Sequence, residues 1–183
     1  MKQGSTTGTP LAEMIGTMKL RSLFVAVLLA GCGTDSGGSV LTANVTQVTY
    51  ASLGGGFGPA PTAGAPCDPG KWSYVISFAA RTLASTTCTV DGPYDDPASF
   101  VPNAEQITLD DTQWQSVKAA IAAVTVSNKT SCGADAGQRQ LEVDSTTGSV
   151  TYGDDFYACE PNYPQFVTTQ SLDNLWAVLS AIP

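Results

Sequence analysis

The stretch QRQLEVDSTTGSVTYGDD (138–155) restricts the fold more tightly than any other part of the chain. A four-residue turn at Ser145–Gly148 lets QRQLEVD pair with SVTYGDD in one antiparallel register. Leu141 then faces Tyr152 and Val143 faces Val150, so the apolar side chains share one side of the ladder. Glu142 and Thr151 share the other side, and Arg139 falls opposite Asp154. A slip of one residue would move the whole apolar set to the wrong face, so pleat, pairing and charge all select this register.

The remaining segments supply partners for that hairpin. Val40–Ser52 (VLTANVTQVTYAS) is β-branched and partly alternating, and is expected to form a strand or a broken pair. Trp72–Ala80 alternates Trp72, Tyr74, Ile76 and Phe78 on one face, and Leu83–Val90 returns antiparallel to it. The stretches 53–66 (LGGGFGPAPTAGAP) and 91–103 (DGPYDDPASFVPN) are expected to be loops. Two helices follow from apolar spacing. In 109–124, Asp110 caps, Gln113 completes a capping box, and Trp114, Val117, Ile121 and Val124 form the stripe. In 171–182, capped by Ser171 or Thr169, Leu172, Leu175, Trp176, Leu179 and Ile182 point inward. Hairpins packed with two helices make an α+β domain. Residues 67–126 and 132–182 show the same order of elements, which suggests a degenerate ββα–ββα duplication.

Upstream lies LFVAVLLAGCG (23–33), where Leu23–Gly31 carries no charge. That run is too short to cross a bilayer, which needs ~20 apolar residues. Behind Lys19 and Arg21 it has the form of an export signal's apolar core, with Met18 as the expected true start and residues 1–17 as an extension. Leu29-Ala30-Gly31-Cys32 resembles the lipobox of bacterial lipoproteins. The resemblance covers only about Met18 to Cys32. It implies that Cys32 is lipidated, that the signal segment 1–31 is removed, and that the chain is anchored to a membrane rather than spanning it. Gly33 stands where that family usually places an inner-membrane retention Asp, which favours the outer membrane of a bacterial cell envelope. Residues 32–39 then form the lipidated cysteine and a flexible tether, and 40–183 a single domain.

Export gives the other four cysteines their meaning. Cys67, Cys88, Cys132 and Cys159 imply two disulfides, and three pairings are open. Cys67–Cys88 and Cys132–Cys159 are favoured because each pair brackets two strand-like segments. Metal binding by these cysteines is disfavoured, since there is no CxxC pair and no histidine. From Cys32 onward, five basic residues stand against fifteen acidic ones, a surface that repels nucleic acid.

Candidate chemistry is sparse. Without histidine, Ser-His-Asp and Cys-His arrangements are impossible. A Ser–Lys pair using Lys71, Lys118 or Lys129 lacks any accompanying motif. The Gly-rich run Gly54–Gly58 lacks the lysine and helix of a phosphate loop, and the sequons at Asn44 and Asn128 carry no meaning in a bacterial envelope. Paired carboxylates remain: Asp95 and Asp96 in GPYDDP, and Asp154, Asp155 and Glu160 in TYGDDFYACEP, each set beside tyrosines. These five are the candidate binding residues. Asp154 and Asp155 would point to opposite faces of a continuing strand and could not act as a pair. No cofactor is indicated. Calcium is the one ion that Asp91, Asp95 and Asp96 would suit, although the regular D-x-D-x-D-G spacing is missing. The expected function is a non-catalytic binding or interaction module with an envelope protein or glycan as partner. The alternatives are a carboxylate-dependent hydrolase of envelope or extracellular polymers and a structural surface protein.

Overall fold

A computed structural model describes residues 39–41, 44–54, 61–128, 138–156 and 163–183. All of them belong to one compact unit, Asp35–Pro183. The elements in chain order are β1 (Val45–Leu53), β2 (Lys71–Ser77), β3 (Thr82–Val90), β4 (Phe100–Thr108), α1 (Asp111–Ala122), β5 (Val126–Ser127), β6 (Arg139–Ser145), β7 (Gly148–Asp154), β8 (Gln165–Val167) and α2 (Thr169–Ser180). The protein is therefore mixed α+β. The strands form one sheet in the order β4-β3-β2-β1-β6-β7-β8-β5. Every neighbouring pair is antiparallel except β7 and β8.

The β6–β7 hairpin adopts the register that its alternation demands, with Leu141 opposite Tyr152, Glu142 opposite Thr151 and Val143 opposite Val150. β1 lies at the centre, and its Val48 and Tyr50 align with Ile76 and Tyr74 on one side and with Val143 and Leu141 on the other. These residues are buried and share one face. Both helices contribute to the same core through Trp114, Val117, Ile121, Leu172, Leu175 and Leu179. The opposite face carries Gln47, Thr49, Val75, Ala84, Glu142 and Thr151. An antiparallel sheet can leave one such face to solvent. α1 begins at the expected capping box, in which Gln113 N–H donates to Asp110 Oδ1 at 2.8 Å and Asp110 N–H to Gln113 Oε1 at 3.0 Å. Such a cap contributes ~1 kcal/mol.

Several expectations are corrected. Residues 100–103, read as loop, open the nine-residue strand β4. Its Pro102 masks the pattern, and proline is admitted here because β4 is an edge strand. β1 starts later than Val40, although Val40 itself is buried in the core. α2 is capped by Thr168, whose side chain accepts from Ser171 N–H, not by Ser171 or Thr169. Trp176 is 47% exposed rather than inward, because the leucines at 172, 175 and 179 alone span the contact stripe. The duplication does not survive the topology. β2 and β6 are both antiparallel to β1 and so run in the same direction, yet the strands that follow them step away in opposite directions, with both helices on one face. Those two layouts are mirror-related, and no rotation superposes one on the other.

Of the two expected bridges, Cys67–Cys88 is present, with a Cα–Cα distance of 5.8 Å. Alternation from buried Leu83 puts Cys88 on the open face, so the bridge ties the β1–β2 connection to β3 there. Cys132–Cys159 lies outside the described residues, as do Cys32 and the apolar run before it.

Candidate functional site

The candidate carboxylates divide into two groups that the fold keeps apart. Asp95 and Asp96 sit in the exposed β3–β4 connection, and Asp96 Oδ1 accepts from Ala98 N–H at 2.9 Å to cap the short 3-10 turn Pro97–Ser99. Three strands (β2, β1 and β6) separate that connection from β7, which ends at Asp154. Glu160 and Lys129 lie outside the described residues. Among the described residues, no group of three or more His, Cys, Asp or Glu side chains is arranged to hold a metal ion.

Asp154 and Asp155 are brought together, contrary to the expectation from a continuing strand. β7 stops at Asp154, where Asp155 N–H donates to Val167 O at 2.9 Å as the last bond of the parallel pairing with β8, and the chain then turns. Both carboxylates then reach the first turn of α2. Thr169 Oγ1 stands between them, in contact with Asp154 Oδ1 and 2.9 Å from Asp155 Oδ1. Thr169 N–H donates to Asp155 Oδ1 at 2.9 Å, and Ser127 Oγ donates to Asp155 Oδ2 at 2.7 Å. A negative group at this place satisfies an otherwise unpartnered helical N–H and complements the helix dipole.

Asp154 is 1% exposed. Its Oδ2 accepts from Arg139 Nε at 2.9 Å and lies 2.7 Å from Arg139 Nη2 in the same ion pair, while Phe156 N–H donates to Oδ1 at 3.1 Å. Arg139 continues the network: its Nη1 donates to Asp173 Oδ1 at 2.6 Å and to the Tyr50 hydroxyl at 3.3 Å. Tyr50 passes its own proton on, donating to Leu172 O at 3.2 Å. Burial pushes the Tyr50 hydroxyl up to about 12, against the opposing pull of Arg139. Burial alone would lower the Arg139 pKa, but Asp173, Tyr50 and Asp154 outweigh it and move it upward, so the guanidinium stays charged.

This cluster links β1, β6, β7, β5 and the start of α2, and its polar atoms face one another. The Arg139–Asp154 pairing was readable from the hairpin register. Tyr50, Ser127, Thr169 and Asp173 were not, because they come from three other elements (β1, β5 and α2) and no local pattern joins them. Trp72 is half-buried between Tyr50 and Tyr74, with ring centroids at 4.9 and 5.7 Å. Lys118 lies over the Trp114 ring at 5.5 Å and Lys71 near Asp68 at 3.7 Å, so neither is set against a serine.

The arrangement holds the helix layer to the sheet, and in it the acidic pair is engaged with donors of the fold itself. Compared with family models, curated proteins and solved structures, the chain matches none of them.

Proposed function

We propose that the protein is a bacterial lipoprotein, held on the cell envelope by an acylated Cys32, whose domain is a non-catalytic binding module. The engagement of Asp154 and Asp155 carries the second half of this reading. A hydrolase needs a carboxylate that can meet substrate, whereas Asp154 is 1% exposed and its oxygens are occupied by Arg139, Thr169 and Phe156. The anchor rests on the short apolar run behind Lys19 and Arg21 and on the small residues before Cys32. The Cys67–Cys88 bridge supports an oxidising compartment, and Cys132–Cys159 is the proposed second bridge. Outer-membrane placement follows from Gly33.

Intact mass spectrometry of the protein purified from its own membranes tests the anchor. The expected product begins at Cys32, carries acyl mass and has no free thiol. A product that retains the leader or lacks lipid overturns the anchor. Crosslinking in intact cells tests the module, and is expected to recover a specific envelope protein or glycan. Turnover of an envelope polymer by the pure protein would replace the binding reading with the hydrolase one.

A further inference from the structure

The two edges of the sheet are finished differently. At one edge β5 is two residues long, and Ser39 pairs with Thr125 immediately before it. At the other, β4 runs for nine residues and no described strand pairs with its outer side. Natural sheets blunt such edges with short strands, lysine or proline. β4 has no lysine, and its single proline lies near its start. Pro102 sits within an unbroken register opposite Cys88, so its nitrogen, which has no proton to give, must face away from β3. Backbone groups alternate sides along a strand, so Ala104, Gln106 and Thr108 also turn their N–H and C=O groups outward.

Beside this edge, on the helix side of the sheet, lies a crevice of 80 Å³ lined by Tyr74, Leu83, Ile107, Leu179 and Ile182 together with hydroxyl-bearing side chains and Glu105. Glu105 is exposed and belongs to a strongly acidic chain. Glu105 and Ile107 are two apart and therefore share a face. A strand added along β4 would set one side chain over the crevice and another, two residues away, against Glu105.

We propose that the outer edge of β4, from Asn103 to Thr108, is a strand-addition site for an extended segment of a partner protein. That segment places a small aliphatic side chain in the crevice and a lysine or arginine opposite Glu105. Main-chain pairing supplies the affinity of such sites and the alternate side chains their specificity. A second copy of this chain fits less well. Antiparallel pairing of two β4 strands with Ala104 opposite Gln106 sets the two Glu105 carboxylates directly opposite each other, and like charges at that distance are unfavourable. The inference deepens the reading of the domain as a binding module and does not require the lipid anchor.

The test uses the full ¹⁵N-labelled chain in a neutral detergent, titrated with the capped peptide Thr-Val-Thr-Lys-Thr-Val-Thr. Its Val-x-Lys-x-Val pattern suits either strand direction. Saturable shifts are expected at the amides of residues 103–108 and around Ile182. They should vanish when alternate peptide nitrogens are methylated. Gln106→Pro removes an outward N–H while sparing the ladder to β3, and should abolish binding with the rest of the spectrum retained. Glu105→Lys should weaken binding roughly tenfold and favour a peptide with Glu in place of Lys. Shifts that map elsewhere, that survive peptide methylation, or that are absent at millimolar peptide overturn the site. So does a β4-paired dimer formed without peptide. An envelope partner recovered in cells despite failure of the peptide would leave the module reading intact and remove the edge.

Discussion

The buried carboxylate of Asp154 is held by three hydrogen-bond donors, Arg139 Nε, the Thr169 hydroxyl and the Phe156 amide, and by the charge of the same guanidinium. Removing one partner of a buried ion pair is costly mainly because the other is left uncompensated. Asp154→Ala is therefore expected to lower unfolding stability by about 3–5 kcal/mol in urea titrations. Asp173, also paired with Arg139, is 54% exposed at its side chain, and Asp173→Ala should cost less than about 1 kcal/mol. Equal losses at the two positions would mean that Arg139 is not anchored by Asp154. Tyr50 adds a pH dependence. Its folded pKa, about 12, lies above the ordinary 10.0, so its contribution to stability is complete below pH 10. As pH rises from there the unfolded chain loses the proton first, and stability falls by up to ~1.4 kcal/mol per pH unit until the folded hydroxyl ionises too. Urea midpoints compared at about pH 9 and about pH 11 should fall more steeply for the native protein than for Tyr50→Phe. Identical slopes would show that Tyr50 ionises normally in the fold.

At the level of elements, legibility followed locality. The β6–β7 register and the Asp110–Gln113 capping box each rest on contacts between residues close in sequence, and both were readable there. β4 was hidden by Pro102, whose tolerance depends on lying at an edge, which is a property of the assembled sheet. The convergence of Asp154 and Asp155 depends on where β7 ends, and that point is set by its last bond to the parallel neighbour β8, from Asp155 N–H to Val167 O. Gly153 shows the same dependence. A Cβ there would overlap the Tyr163 ring, with Tyr163 Cγ at 2.9 Å and Phe166 Cε1 at 3.0 Å, so the glycine gives these rings room against the strand. Gly153→Ala is expected to cost about 1–3 kcal/mol by overpacking. Adding Tyr163→Ala should recover part of that loss, giving a non-additive double-mutant cycle. Simple additivity would show that the ring does not press on this strand.

On the scale of the whole molecule, the helices cover one face of the sheet, and the Cys67–Cys88 bridge acts on the other. Its two cysteines are 21 residues apart in sequence, and the enclosed segment includes all of β2 and most of β3. Cys88 lies on the side of β3 away from Leu83, outside the core shared by sheet and helices. Cutting the bridge therefore removes little packing, and its effect should arise in the unfolded chain, which gains the freedom of an opened loop. In the loop-entropy account that amounts to ~3 kcal/mol. A Cys67→Ser/Cys88→Ser double variant isolates this bridge, whereas a reducing agent would also act on any pairing of Cys132 with Cys159. The variant should lose ~3 kcal/mol in urea, and its denaturant slope should rise because the unlinked unfolded chain exposes more surface. Its folded-state amide spectrum should change only around residues 67 and 88. A loss of that size with an unchanged slope and shifts spreading to Ile76 and Leu141 would place the bridge's contribution in the native packing instead, and would mean that the open face is coupled to the core through the sheet.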